Sequence, residues 1–432
     1  MDELDLTIVF LSVLFLFLGT GVWVAVSLIG VATVGMLLFT SRPVGDAMAT
    51  TIWGASSSWT LTALPLFIWM GEILFRTKLS ENLFKGLTPL LSKLPGGLLH
   101  VNIAGCTIFA AISGSSAATV ATVGKMSIPE LRQRNYPERM IIGTLAGAGT
   151  LGLLIPPSIT LIIYGVTVNE SIAQLFVAGI LPGLMLAVLF MGYVSVWGLL
   201  SGNRKADQLD RSGRIKDVMQ LIPVILLIAG VMGSIYTGVA TATEAAVLGV
   251  VGALVLSAFQ GSLSRENFVS ALLGATRTSA MIAFILAGST FLSLAMGFTG
   301  LPRTLAEWIG GLSLSPWMLI FALMVFYIIL GCFLDGISSV VLTMAVIEPL
   351  VRQAGFDMIW FGIFLMVVVE MAQITPPVGF NLFVLQGMTG KDMAFIARAA
   401  LPMFVLMIVA VVILSVFPQI ATYLPDIMSG RN

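Results

Sequence analysis

The sequence predicts an all-α polytopic membrane protein of two inverted-topology repeats, each with a re-entrant hairpin and a helix broken at Pro-Pro. Three observations carry this expectation. The first is composition: of 432 residues, 58% are hydrophobic and 10% are charged, against about 25% charged in ordinary soluble domains. With 21 basic and 21 acidic residues the chain cannot cover a soluble surface, whereas roughly 20 apolar residues make one bilayer crossing and the chain could supply about ten. The second observation is an internal duplication. The third is a reversal of charge between the two copies.

The duplication is visible at two offsets. Residues 19–37 and 236–254 share seven identities in nineteen at an offset of 217, among them Thr20/Thr237, Gly21/Gly238, Gly35/Gly252 and Leu37/Leu254. Phe67, Ile68 and Gly71 match Phe284, Ile285 and Gly288 in the same register. Farther on the offset is 220: Pro129 matches Pro349, Gln133 matches Gln353, Pro156-Pro157 matches Pro376-Pro377 and Leu181-Pro182 matches Leu401-Pro402. Shared apolar composition inflates such scores, but it cannot place two Pro-Pro pairs in register.

Repeat one (residues 1–201) reads in order as scaffold spans over 6–75, an amphipathic arm over 79–94, a hairpin over 98–128, a broken helix over 139–168 and a closing span over 173–200. A linker over 202–217 follows. Repeat two (218–432) reads the same way: scaffold 218–297, arm 301–313, hairpin 317–350, broken helix 358–386, closing span 393–417. Within each hairpin a polar Ser/Gly or Asp-Gly interruption leaves two halves of about 15 residues, too short to cross comfortably, so a re-entrant pair is expected. The arms are expected to lie along the interface. The acidic lead Met1-Asp2-Glu3-Leu4-Asp5 lacks the basic n-region and small-residue cleavage site of a signal peptide, so the first span is expected to be retained, with an external start.

Charge gives the orientation of each copy. Arg76, Lys78, Lys85 and Lys93 precede the first hairpin, and Lys125, Arg132, Arg134 and Arg139 follow it; the second is flanked by Arg303 and Arg352 with Glu307, Glu348 and Asp357. The positive-inside rule then puts the first hairpin's entry on the cytoplasmic side and the second's on the opposite side. Beyond the broken helices the sense reverses, Asn169-Glu170 standing against Lys391 and Arg398. The linker, with Arg204, Lys205, Arg211, Arg214 and Lys216, reads as cytoplasmic. Two copies of opposite orientation are the architecture of many secondary transporters.

Several chemistries are excluded. A net charge of zero and the lack of a basic tail leave no footprint for nucleic acid. One histidine, His100, and two isolated cysteines, Cys106 and Cys332, offer neither a zinc site nor a CxxC pair, so no transition metal is expected. Gly147-Ala148-Gly149-Thr150-Leu151-Gly152 fits GxGxxG, but it follows a membrane helix and precedes Pro-Pro, with no strand before it; no nucleotide is expected, and with no P-loop neither is ATP. There is no His-Glu-x-x-His or Gly-x-Ser-x-Gly, so the chain is not read as an enzyme. His100 reads as a polar interface residue.

A helix broken within the membrane exposes backbone groups that protein, water or a bound ion must satisfy, and half-helix N-termini attract anions while unwound carbonyls ligate Na⁺. The candidates are Ser113, Gly114, Ser115 and Ser116 facing Thr150 and Pro156-Pro157-Ser158, and Asp335, Gly336, Ser338 and Ser339 facing Thr375, Pro376, Pro377, Val378, Gly379 and Asn381. Four acids lie in apolar runs, each needing a partner or a purpose. Asp335, at a hairpin tip, reads as a sodium ligand or substrate contact. Glu244 reads as a helix-start cap beside Thr241, and Glu72 as a partner of Arg76 one turn on. Glu370 fits either a proton relay or packing against a polar neighbour.

At these residues the sequence resembles the large membrane subunit of tripartite ATP-independent periplasmic (TRAP) transporters, the DctM-like family, over nearly its whole length. The carrying segments are Gly238-Val239-Ala240-Thr241-Ala242-Thr243-Glu244-Ala245-Ala246, Ile112-Ser113-Gly114-Ser115-Ser116-Ala117-Ala118, Ile155-Pro156-Pro157-Ser158 and Ile374-Thr375-Pro376-Pro377-Val378-Gly379-Phe380-Asn381. The family more often has proline where Ala242 stands, a small change in a helix-entry turn. The resemblance implies an elevator-type sodium symporter in a bacterial or archaeal inner membrane. It implies an organic anion (a carboxylate or a sulfonate) delivered by a periplasmic binding protein, and a separate four-helix small membrane subunit. Sodium would be held by Ser113, Gly114, Ser116, Thr150 and Pro156 at one site and by Asp335, Gly336, Ser338, Thr375, Pro376 and Gly379 at the other. Substrate would meet Ser115, Ser116, Asp335 and Asn381. The alternative is a stand-alone ion-coupled anion symporter that needs no binding protein.

Overall fold

The computed structural model describes residues 10, 12–17, 19–76, 79–201, 218–300, 315–332, 334–377 and 379–430. The linker over 202–217 and the second arm over 301–313 lie outside the described residues. Every regular element among the described residues is helical. In chain order they begin with α1 (Val24–Phe39), α2 (Val44–Ser56), α3 (Ala63–Phe75), α4 (Leu79–Leu91), α5 (Leu99–Ser113), α6 (Ser116–Gln133), α7 (Glu138–Gly149), α8 (Ile159–Val168) and α9 (Ile172–Leu200). The second half holds α10 (Ile222–Tyr236), α11 (Ala242–Phe259), α12 (Arg265–Thr299), α13 (Pro316–Gly331), α14 (Gly336–Gln353), α15 (Met358–Gln373), α16 (Phe380–Thr389), α17 (Met393–Val416) and α18 (Gln419–Ser429).

Four of the described helices, α9, α11, α12 and α17, are long and apolar enough to cross a bilayer alone, and α2 with the Trp59–Phe75 segment, bent by 54° at the break, has the length and composition of a broken span or a re-entrant pair. Much of the remaining apolar sequence forms shorter helices of 10–17 residues. The 12 residues of α7 and 10 of α8 rise about 18 and 15 Å, well short of a hydrocarbon core of roughly 30 Å.

Local chemistry sets the breaks. α5 stops at Gly114, whose φ of 56° lies in the left-handed region that disfavours a side chain. Ser115, in extended backbone, caps α6 by accepting from Ala118 N. α7 tightens into a 3-10 turn, Thr150–Leu153; Pro156 and Pro157 then lack N–H groups, and Ser158 caps α8. In the second half Asp335 caps α14, and Gly379, at φ 48°, precedes α16. Both Pro-Pro bonds are cis.

The scaffold helices pack together: α12 against α1, α2 and α3, and α11 against α3 and α10. A Cβ at Gly288 would lie 2.8 Å from Ala25 O, so α12 approaches the α1 backbone directly. α5 and α6 pack against α7, and α13 and α14 against α15. α15 is buried at all sixteen positions, as expected of a helix apolar all round. Tyr164 of α8 donates to Met358 O at 2.7 Å, and Trp360 Nε1 to Leu414 O of α17 at 2.9 Å. The outer faces stay apolar, with Leu200, Val239 and Phe259 more than 80% exposed, a surface suited to lipid.

The structure adds two elements that the pattern of apolar runs did not mark. Residues 41–60 carry α2, followed by a turn at Ser57 and Ser58, where Ser57 Oγ bonds Gly54 O at 3.3 Å and Ser58 is extended. The corresponding part of the second half is the single 35-residue helix α12. Beyond residue 417, where Pro418 interrupts α17, α18 packs back on α9.

Candidate ion and substrate site at the hairpin tips

The first tip is tied to itself and to the break beside it. Ser113 Oγ lies 2.8 Å from Thr119 Oγ1 and 3.2 Å from Ser115 O, and Thr119 Oγ1 donates to Ser115 O at 2.8 Å. A Cβ at Gly114 would sit 3.0 Å from Pro157 O and 3.1 Å from Ile159 N. One at Gly152 would sit 2.6 Å from Ser115 C and Ser116 N, so the two glycines let tip and break meet backbone to backbone. Ser158 Oγ donates to Leu153 O at 2.5 Å. Gly114, Ser116, Pro156, Pro157 and Ser158 are all buried.

The second tip is more open. Asp335 is exposed, and its Oδ2 accepts from Ile337 N at 3.1 Å and Ser338 N at 3.4 Å. Both of these bonds use Oδ2 and neither uses Oδ1. Cys332 Sγ reaches Pro376 O at 3.5 Å, joining this tip to its own break. Ser338, Ser339 and Asn381 are buried, and neither Ser339 Oγ nor either amide atom of Asn381 has a hydrogen-bond partner among the described residues. Pro376 and Pro377 are exposed. Val378 lies outside the described residues.

The tips converge on one point. A Cβ at Gly336 would lie 2.7 Å from Leu153 Cδ1 and 3.2 Å from Val369 Cγ1. Leu153 N donates to Glu370 Oε1 at 3.1 Å, and Ser116 Oγ donates to the same oxygen. Residues from tip one, break one, tip two and α15 thus meet around Leu153, with the N-termini of α6 and α14, each a partial positive charge, at this junction.

Not every expected side chain points there. Thr150 Oγ1 is committed to Gly147 O at 2.5 Å and lies 3.7 Å from Met407 Sδ, so its hydroxyl faces α17 and only its backbone joins the turn. Thr375 Oγ1, just past the end of α15, bonds back to Met371 O at 2.7 Å. His100 bonds Pro95 O at 2.7 Å, away from both tips. Glu72 pairs with Arg76 at 2.7 Å. Glu244 and Thr241 form a reciprocal capping box. Glu370 has a larger place at the site than sequence reasoning assigned; three residues on, Gln373 is buried with its Nε2 unpartnered among the described residues. The signal for Glu370 was the one charged residue in an apolar helix.

A family model described as "Tripartite ATP-independent periplasmic transporter, DctM component" matches residues 11–420. The chain belongs to the DctM family. As a DctM component it is a transporter permease rather than an enzyme, and a multi-pass protein of the bacterial inner membrane. The C4-dicarboxylate TRAP transporter large permease protein DctM of Pseudomonas aeruginosa is 31% identical over 392 residues, 90% of this chain and 92% of that one. The isethionate TRAP transporter permease protein DctMQ of Oleidesulfovibrio alaskensis is 32% identical over 98% of this chain and 67% of its own length. The sialic acid TRAP transporter large permease protein SiaM of Vibrio cholerae is 28% identical over 95% of this chain and 96% of its own. The crystal structure of the YdaH transporter of Alcanivorax borkumensis superposes with a TM-score of 0.63 over 94% of this chain and 98% of that one, at 13% identity, a likeness of fold alone.

Proposed function

We propose that this DctM permease carries out sodium-coupled uptake of a small organic anion by an elevator movement. A periplasmic binding protein delivers the anion, and a small membrane subunit accompanies the permease. The observation that carries the reading is the convergence of both capped tips on Leu153. Sodium is held at each tip by hydroxyls and unwound carbonyls: Ser113, Gly114, Ser116 and Pro156 on one side, Asp335, Gly336, Ser338, Thr375, Pro376 and Gly379 on the other. The anion sits between, against Ser115, Ser116, Asp335 and Asn381. Bound cations offset its charge, and the two helix N-termini add to the attraction.

The two halves are inverted repeats. The matching order of α5–α9 and α13–α17 and the reversed basic flanks support this reading. In the elevator movement the hairpins and broken helices travel against the scaffold of α1–α3 and α10–α12. Substrate classes named for relatives are C4-dicarboxylates, isethionate, sialic acid and ectoine, and carboxylates or sulfonates suit the site. Reconstitution with the binding protein and small subunit, and a radiolabelled panel of these compounds, tests it. Uptake should require an inward sodium gradient and the loaded binding protein. Equal uptake with potassium replacing sodium would reject the coupling, and transport of free substrate without the partners would favour the stand-alone symporter.

A further inference from the structure

We propose that Glu370, from the second half of the chain, supplies the negative charge of the first-tip cation site and orients its Ser116 ligand. The inference rests on reading the tips as sodium sites. Glu370 is 1% exposed within the wholly buried helix α15. Its Oε1 accepts from Ser116 Oγ and from Leu153 N, and its Oε2 has no hydrogen-bond partner among the described residues. Both donors are neutral, so a carboxylate this deep lacks a compensating cation among its bonded neighbours.

The duplication says why an acid is needed there. In the register that aligns the Pro-Pro pairs, Asp335 corresponds to Ser115, and the two are the caps of α14 and α6. One tip therefore carries a carboxylate in its own cap. The other, residues 113–116, is neutral, and the carboxylate beside it arrives on α15. The geometry also suits ligation. A hydroxyl has one proton and two lone pairs; with the Ser116 proton given to Glu370, its lone pairs are free for a cation at the tip. Glu370 is thus a positioning residue that acts through Ser116.

The test reads sodium itself, with no substrate needed. The full-length permease in nanodiscs is titrated with NaCl against KCl at constant ionic strength, and its thermal stabilisation is followed. Glu370→Gln should raise the half-saturating sodium concentration about 10- to 100-fold, as loss of an outer-shell partner does at metal sites. Adding Ser115→Asp, which places a carboxylate where the second tip has Asp335, should bring it back toward the wild-type value; a purely structural role for Glu370 predicts no such recovery. A wild-type titration by Glu370→Gln, or no recovery in the double variant, overturns the proposal. If Glu370→Gln yields no folded protein, the double variant decides alone: sodium-dependent stabilisation supports the proposal, and its absence, or the absence of folded protein, overturns it. Equal stabilisation of the wild type by sodium and potassium would instead refute the sodium reading of the tips, and this inference with it.

Discussion

Gly152→Ala is a one-atom perturbation aimed at the joint between the first tip and its break. The added Cβ would lie 2.6 Å from Ser115 C and Ser116 N and 2.7 Å from Ser115 O. All three are backbone atoms, so no side-chain rotation relieves them, and recovering ordinary contact requires a shift of about 0.8 Å. Overpacking of this kind costs about 1–3 kcal/mol. The cost falls on docking of the tip, because α5 and α6 keep their own hydrogen bonds while Ser116 and Leu153 are drawn away from Glu370. A free energy of that size changes an equilibrium roughly 5- to 150-fold. Sodium-driven uptake in proteoliposomes should therefore need at least about fivefold more sodium for half-maximal rate. Gly192→Ala in α9, where nothing lies within 4 Å of the added atom, is the control and should transport normally. An unchanged sodium response in well-expressed Gly152→Ala would show that tip and break do not need this contact, and the reasoning would fall.

Three further outcomes are expected. Asp335→Ala removes the α14 cap, worth about 0.5–2 kcal/mol, together with Oδ1, which the cap does not use; uptake should fall strongly while assembly in the membrane, followed by size-exclusion chromatography, stays intact. Tyr164→Phe removes the 2.7 Å bond to Met358 O and should cost about 1 kcal/mol, read as a lower melting temperature in detergent with little change in sodium affinity. Hydrogen bonding from Arg132 holds the Glu138 carboxyl below its ordinary range, with Arg132 Nε at 3.0 and 3.1 Å from its two oxygens. A folded-state value below the unfolded one means stability present above about pH 4 and lost as pH falls through the folded value. Glu138→Gln should flatten that part of the acid-denaturation profile, and a profile identical to wild type would show that the pair contributes nothing.

Much of the fold was legible because its punctuation is local. Gly114, the Ser115, Ser158 and Asp335 caps and the two Pro-Pro pairs each act within a few residues, through backbone conformation or a missing N–H, so the tips and breaks could be placed from the sequence. The bend at residues 57–58 was not legible. No glycine or proline marks it, and the serines there are equally compatible with helix; packing of α2 and α3 against α12 accompanies the bend. Thr150 shows the same limit at the site, since its position in the turn was predictable but not that its hydroxyl would bond Gly147 O and face Met407 on α17.

The sequence by itself determined an all-helical membrane chain, those helix stops that glycine, proline or a cap marks locally, and the acids that stand alone in apolar surroundings. Only the tertiary structure decided what those acids meet. Glu370 and Ser116 are 254 residues apart, and nothing in an apolar helix encodes which distant hydroxyl will face its one carboxylate. That pairing follows from how α15 is enclosed by α13 and α14 on one side and by the Thr150–Leu153 turn, α8, α9 and α17 on the others, since burial on every side leaves the carboxylate to find its donors where the two halves of the chain meet.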